Sequence, residues 1–335
     1  SIPPEDPDTF EMIRCGDTTG VFQIESRAQM NMLNRLKPRS FYDLVIQTAI
    51  VRPGPIQGGM VHPYIRRKRG EEEITYPIAE LEPILKRTCG VPLFQEQVMQ
   101  LAVVAADFTA GEADKLRRAM GQSRERLEPM LEDLLRRMTE TGIAPEFAEQ
   151  VANQIRGFGA YGFPESHAAS FALLAYASAY LRCHYPGIFA VALVNSWPMG
   201  FYSRQTILQD AKRHGVELLP LDINLSFPQT TISHTIDSAG RIRLGFSLIK
   251  QMPKRWIERI MENREEGGPY ESMDELARRL KLPQHIMLKL AIAGAFDSLF
   301  PEYSTKERRS RAIWSAHRYG YYEDSLLPQA GQGRA

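Results

Sequence analysis

Cysteine is scarce in this sequence: the three present, Cys15, Cys89 and Cys183, are far apart and odd in number. No C-x-x-C pair occurs, which excludes a zinc ribbon or dithiol redox motif and argues against a disulfide framework. Long hydrophobic runs are missing too. The most apolar stretch, 168–194, is broken by Ser178, Arg182, His184 and Pro186, so it does not read as a membrane span. The opening SIPPEDPDTF has no basic leader followed by an apolar segment, and gives no signal for export. A reducing cytoplasm is the expected setting, with no membrane partner. The opening also has no initiator methionine, which is expected of a piece of a longer polypeptide. No repeat of 20 to 50 residues and no low-complexity tract is present, although two C-terminal helical pairs resemble each other.

An excess of charge of either sign is likewise absent. Lys and Arg total 41 against 40 Asp and Glu, a net charge of +1, which excludes a wholesale polyanion binder. Positive charge is local instead: Arg66, Arg67, Lys68 and Arg69 are consecutive and are followed at once by Glu71, Glu72 and Glu73. Converging carboxylates for a metal are not evident. The one D-x-D is Asp6-Pro7-Asp8, where Asp6 as N-cap and Pro7 as first helical residue are explanation enough. Asp222 and Asp297 stand alone, Cys183-His184 lacks ligand spacing, and neither a P-loop nor a nucleophile elbow occurs. No catalytic residue and no metal ligand is assigned.

What is present is a globular composition, 43% hydrophobic and 24% charged over 335 residues, enough for two or three domains. The first 200 residues read as helices punctuated by Pro and Gly. Ser26 and Ser40 open two of them, and 95–106, 112–120 and 126–139 keep a 3.6-residue rhythm. From 195 to 228 the character changes to Pro, Gly, Asn and Ser around one short helix near 203–214. TTISHTI and RIRLGF then alternate as short strands about the turn signal DSAG.

Three constellations carry possible chemistry. In GEADKLRRAMGQS, Thr109 and Glu112 can cap a helix whose apolar face is Ala113, Leu116 and Met120. Arg117 borders that face and Arg118 points away from it, with Asp114 placed to pair with Arg118 at i,i+4. On spacing alone this is a solvated, ion-paired surface, with an anion clamp as the alternative. In GFGAYGFPESHAAS, Gly162 and its neighbouring glycines form a loop that ends near Ser166 and His167 at a helix N-terminus. It is either an anion site or a tight turn with a serine cap, and the residues alone leave both open. The segment from LGFSLIK to GAFDSL gives helix, QMPK hairpin, helix, Gly-Gly-Pro turn, then helix, KLPQ hairpin, helix. This is either a tandem helix-hairpin-helix unit able to hold successive DNA phosphates or a plain helical bundle.

Taken together, DTTGVFQIESRAQM, RPGPIQGGMVHPYIRRKRG, FQEQVMQLA, GEADKLRRAMG and YGFPESHAASFALL resemble the fingers domain of bacterial C-family DNA polymerases, the group that includes the replicative polymerase III alpha subunit. The C-terminal helical pairs are similar to the tandem helix-hairpin-helix region that follows the fingers in that family. PESHAASFALL and NSWPMGFYSRQTILQDAKRHGVELLPLDIN resemble the error-prone branch used in damage-induced mutagenesis, the replicative branch having Asn-Lys where Pro164-Glu165 stand.

The resemblance implies a mainly α fold: helical fingers over 1–195, a connector over 196–231, a small tandem helix-hairpin-helix domain with a few short strands over 232–300, then a basic helix and flexible tail over 301–335. It implies triphosphate donors at Arg117 and Arg118, a nucleotide pocket at Ser166, His167 and Gly162, and Arg52 and Gln95 nearby. DNA contacts are expected at Arg66, Arg67, Lys68, Arg69, Lys250 and Lys254. Magnesium would be bound by aspartates of a palm N-terminal to these residues, so the segment alone is expected to be inactive. Primer-template DNA, a deoxynucleoside triphosphate, accessory mutagenesis proteins and a sliding clamp are the implied partners. A non-enzymatic DNA-binding module and a protein-interaction platform are the rival readings. Both hairpins depart from the family pattern, since neither QMPK nor KLPQ carries Gly-x-Gly.

Overall fold

The computed structural model describes residues 1–52, 55–56, 58–120, 122, 124–158, 164–233 and 240–319. The fold is mainly α, with one small sheet, and it divides into two compact units, Ser1–His184 and Tyr185–Ala335.

In the first unit, side-chain caps start the helices where the sequence placed them. Asp6 accepts from the Thr9 N–H at 2.9 Å and opens α1 (Pro7–Arg14). Ser26 opens α2 (Arg27–Leu36), and Ser40 with Asp43 forms a capping box on α3 (Phe41–Ile50). Each such cap satisfies N–H groups that have no partner inside the helix, worth about 1 kcal/mol. After α4 (Val61–Lys68) and short turns from Ala79 to Thr88 come α5 (Gln95–Ala106), α6 (Ala110–Met120), α7 (Arg124–Glu140) and α8 (Pro145–Phe158). Helix α5 packs on α6 and α7, and α7 on α8.

The longest helix, α9 (Glu165–His184), lies along α3 and α1. Ala168, Ala172, Ala175 and Ala179, all fully buried, form a stripe of small side chains that lets α9 approach its neighbours closely enough for the Thr48 hydroxyl to reach the Ala168 carbonyl at 3.2 Å. Arg182, only 3% exposed, anchors the far end of α9 through the Asp17 carboxylate at 2.6 Å and the Asp17 and Thr19 carbonyls at 2.7 and 3.1 Å. A buried charge is tolerated when it is paired and bonded in this way.

The second unit starts with α10 (Pro186–Asn195) and α11 (Arg204–Arg213), which share a core with a three-stranded sheet. Strand β3 (Arg241–Arg243) is central, antiparallel to β2 (Thr231–Ser233) and parallel to β1 (Glu217–Leu219). The two expected strands are there; β1 was not expected, and of the turn signal DSAG the residues 237–239 lie outside the described residues. The helix expected at LGFSLIK is instead a single 3-10 turn, Phe246–Leu248. A second core then gathers α12 (Lys254–Gly267), α13 (Met273–Leu280), α14 (Gln284–Ala293) and α15 (Thr305–Arg318), the basic helix read from the sequence. The tail from residue 320, expected to be flexible, lies outside the described residues.

The two hairpins repeat one design. Gln251 (φ 55°) and Lys281 (φ 48°) each adopt the left-handed conformation two residues before a proline, Pro253 or Pro283, that caps the next helix. The position that elsewhere favours glycine is thus filled by a long polar residue at some strain.

Candidate functional site

Helix α6 begins with a reciprocal cap: the Glu112 carboxylate accepts from the Thr109 N–H at 2.7 Å, and the Thr109 hydroxyl accepts from the Glu112 N–H at 3.3 Å. Arg137 from α7 also binds Glu112, at 2.9 Å. The cap and the buried Ala113, Leu116 and Met120 fix which way the helix faces. Asp114 then takes both arginines, Arg117 at 2.8 Å through one oxygen and Arg118 at 2.7 Å through the other. The sequence placed only Arg118 on Asp114 and left Arg117 at the edge of the core. Arg117 turns to the same carboxylate because i,i+3 and i,i+4 partners are both neighbours on a helix surface. The arginine side chains remain 40% and 67% exposed, and the hydrogen bond from Arg117 is the leading cause that holds the Asp114 carboxyl below its ordinary range. Two guanidinium groups share one half-buried carboxylate, which leaves this turn of the helix with a local net positive charge.

The start of α9 is the second part of the site. Pro164, Ser166, His167 and Ser170 line an open cleft of about 570 Å³. His167 stands edge-on to Phe171 with ring centroids 4.4 Å apart, and Phe171 stacks on Phe22 at 5.4 Å, which gives the imidazole an apolar wall. Between Pro164 and Ser166, Glu165 is bound by three other segments. Its carboxylate accepts from the Tyr42 hydroxyl at 2.8 Å and pairs with Arg87 at 3.1 Å, while its N–H donates to Glu96 at 3.1 Å. Burial, and then the bond to Glu165, push the Tyr42 phenol well above its ordinary range. A carboxylate in the first turn also suits the positive end of the helix dipole.

Other residues expected near a nucleotide gather at this corner. Arg52 donates to the Thr48 carbonyl at 3.3 Å, and Thr48 in turn bonds Ala168 in the first turn of α9. Burial lowers the affinity of the Arg52 guanidinium for its proton. Gln95 is the first residue of α5, next to Glu96. Its companion Gln97 is purely structural, accepting from the Leu93 and Phe94 N–H groups and donating to Ile84 and Thr88. Gly162 lies outside the described residues, as does the centre of the RPGP turn. What joins α6 to this corner is α5, which presents Gln95 and Glu96 at its start and packs along α6.

The basic run at 66–69 is largely consumed within the fold. Arg66 and Arg67 share Glu72 at 2.7 and 2.8 Å, and Arg67 also donates to the Cys89 and Gly90 carbonyls. Lys68 pairs with Asp43, whereas Arg69 donates to the Arg35 carbonyl at 2.8 Å with Glu71 3.6 Å away. Only Arg66 and Arg69 keep about half of their side-chain surface in solvent. Lys250 is exposed at the first hairpin, and Lys254, 89% exposed, has Glu258 at 3.4 Å as its neighbour. Among the described residues no group of three or more His, Cys, Asp and Glu side chains could hold a metal ion, and no helix is long and apolar enough to cross a membrane.

Comparison with known proteins gives two family matches along the chain. Residues 1–142 match the family model of the bacterial DNA polymerase III alpha subunit finger domain, and residues 215–310 match a helix-hairpin-helix motif. The chain is similar to the error-prone DNA polymerase of Pseudomonas fluorescens (strain Pf0-1), 54% identical over 316 residues that cover 94% of this chain and 30% of that protein. The error-prone DNA polymerase of Methylococcus capsulatus (strain Bath) is 50% identical over 335 residues, covering 94% and 31%. That of Anaeromyxobacter dehalogenans (strain 2CP-C) is 50% identical over 323 residues, covering 94% and 28%. The chain thus spans about 30% of the length of the curated relatives it matches.

Proposed function

Because this chain belongs to the bacterial DNA polymerase III alpha family, as a segment with its finger domain and a helix-hairpin-helix region, we propose that it holds the incoming nucleotide and contacts DNA within an error-prone DNA-directed DNA polymerase. The observation that carries the reading is the exposed pair of guanidinium groups converging on Asp114. A deoxynucleoside triphosphate brings about four negative charges, and phosphoryl transfer depends on holding it in line and stabilising charge on the leaving pyrophosphate. Arginine suits this task because its planar fork stays charged and gives short, charge-assisted bonds to phosphate oxygens. An exposed ion pair within one helix is worth only about 0.5 kcal/mol, so a triphosphate displaces Asp114 at little cost.

In this reading Arg118 is the main donor and Arg117 the second. Ser166 and His167 line the nucleotide cleft with Gly162, and Arg52 and Gln95 support its walls. Arg66, Arg67, Lys68, Arg69, Lys250 and Lys254 are the proposed phosphate contacts, the half-exposed Arg66 and Arg69 and the two lysines ahead of the internally bonded pair; such contacts position DNA without reading sequence. The described residues do not form a carboxylate cluster suited to magnesium. Translesion synthesis in the bacterial cytoplasm, with accessory mutagenesis proteins and a sliding clamp as partners, is the setting proposed for the longer polypeptide.

The test is Arg118→Ala in the full-length polymerase. Loss of a charge-assisted bond of about 1.5–3 kcal/mol should lower kcat/KM for the nucleotide by about 10- to 150-fold while primer-template affinity stays within about twofold. Unchanged nucleotide kinetics would remove the assignment.

A further inference from the structure

Helix α15 divides its cations between two faces. On the packed side, Ala312 and Ala316 are fully buried. Arg309 there binds Asp297 at 2.8 Å and the Ile292 carbonyl at 2.8 Å, and Arg308 donates to the Pro301 and Tyr303 carbonyls, each at 2.6 Å. On the other side Arg311, Trp314 and Arg318 are exposed, and Lys306, also exposed, lies at the edge between the two faces. Arg311 and Arg318 stand at i−3 and i+4 from Trp314, so at 100° per residue the three side chains fall in one stripe. None of Lys306, Arg311 and Arg318 has a carboxylate within 4 Å among the described residues. The acidic residue of that face, Glu307, is bonded to the Ser304 N–H and hydroxyl at 3.0 and 2.7 Å.

Trp314 is 75% exposed, an unusual place for the largest apolar side chain, and it is flanked by Arg311 and Arg318, of which Arg311 feels the Glu307 carboxylate one turn before it but forms no ion pair within 4 Å among the described residues. Arg311 already stacks on an aromatic face, with its guanidinium carbon 3.7 Å from the Tyr303 ring centroid. An indole with flanking phosphate donors is the combination that binds single-stranded nucleic acid: bases stack on the aromatic ring while the cations follow the backbone. Bases within a duplex are already stacked on one another, so the indole selects an unpaired base. Charge complementarity favours this polyanion over a protein surface of mixed charge.

We propose that this face of α15 is a contact site for single-stranded DNA, with Trp314 stacking on a base and Arg311, Arg318 and Lys306 holding adjacent phosphates. The inference rests on the reading that the chain contacts DNA, and is independent of the nucleotide site on α6. The experiment is fluorescence anisotropy of the 335-residue chain with a labelled oligothymidine of about 20 nucleotides and with a blunt duplex of the same length, across a range of salt. Trp314→Ala should weaken oligothymidine binding about fivefold or more without changing the salt slope, and Trp314→Phe should keep most of it. Arg311→Ala with Arg318→Ala should flatten the slope of log K against log[salt] by about 1.4, two phosphates at about 0.7 each. Because these side chains are exposed, circular dichroism of the variants should match the parent. Duplex binding together with oligothymidine binding that neither variant alters would overturn this inference and leave the DNA-contacting role standing. Absence of binding to either DNA at low salt would overturn both.

Discussion

Asp114 governs how the arginines of α6 behave before any ligand arrives. Its carboxyl, held below the ordinary range by Arg117, stays ionised and competes with a triphosphate for both guanidinium groups. Asp114→Asn keeps a hydrogen-bond acceptor but removes the charge, so the polymerase should show an apparent KM for nucleotide lower by about two- to threefold, the equivalent of about 0.5 kcal/mol. Steady-state incorporation kinetics read this directly, and a KM that does not fall would place the triphosphate elsewhere. Glu165 is the second decisive residue. The replicative branch of the family that the sequence resembles has lysine there, whereas in this chain Arg87 pairs with the Glu165 carboxylate at 3.1 Å beside the Tyr42 hydroxyl, so a lysine would face a cation. Glu165→Lys should therefore cost about 1–3 kcal/mol, measured by urea unfolding, and adding Arg87→Glu should recover most of it. The pair Asp114–Arg118 was legible in the sequence because its spacing is local. The partners of Glu165 were not, since Tyr42, Arg87 and Glu96 lie 123, 78 and 69 residues away.

At the scale of elements, what the sequence made legible was whatever is specified within one or two turns. Asp6, Ser26, Ser40 and Ser203 cap the helices they were read to open or border, because capping needs only an oxygen and the N–H groups that follow it. Helix α5 begins and ends where its apolar rhythm does. Strand β1 escaped because Glu217-Leu218-Leu219 shows no polar–apolar alternation, and its parallel pairing with β3 joins Glu217 to Arg241 across the chain. The LGFSLIK segment fails as a helix because it is held from outside. The Phe246 and Ser247 N–H groups donate to the Phe227 and Pro228 carbonyls, and Gly245 passes so close that a Cβ would lie 2.2 Å from the Gln229 carbonyl carbon. The contact is with backbone, which cannot swing aside as a side chain does. Gly245→Ala should destabilise the second unit by at least about 1–3 kcal/mol. A chemical-denaturation midpoint equal to that of the parent chain would show that 227–230 yields more easily than its hydrogen bonds imply.

For the molecule as a whole, a net charge of +1 conceals charges that are mostly spent on one another, and this sets its response to acid. Asp6 titrates at about 2, first because His184 bonds it at 2.8 Å and then because Thr9 does, and Glu112 also titrates at about 2, first through the Thr109 N–H and then through Arg137. Both belong to the first unit, where Asp6 ties the start of α1 to the end of α9 and Glu112 ties α6 to α7. A carboxyl whose folded pKa lies below its unfolded value near 4 binds fewer protons folded than unfolded. Its contribution to stability is fully present above about pH 5, shrinks as pH falls through 4, and is gone below 2. The thermal midpoint of the first unit should therefore drop between pH 5 and pH 2. Asp6→Asn separates the charge from the cap, because asparagine at an N-cap still accepts from the Thr9 N–H. That variant should be less stable than the parent at pH 7 and nearly equal to it at pH 2, so its midpoint should depend less on pH. Parallel curves for the two proteins from pH 7 to pH 2 would mean that the Asp6–His184 contact carries no linked proton, and that the acid sensitivity lies with Glu112 and its arginine.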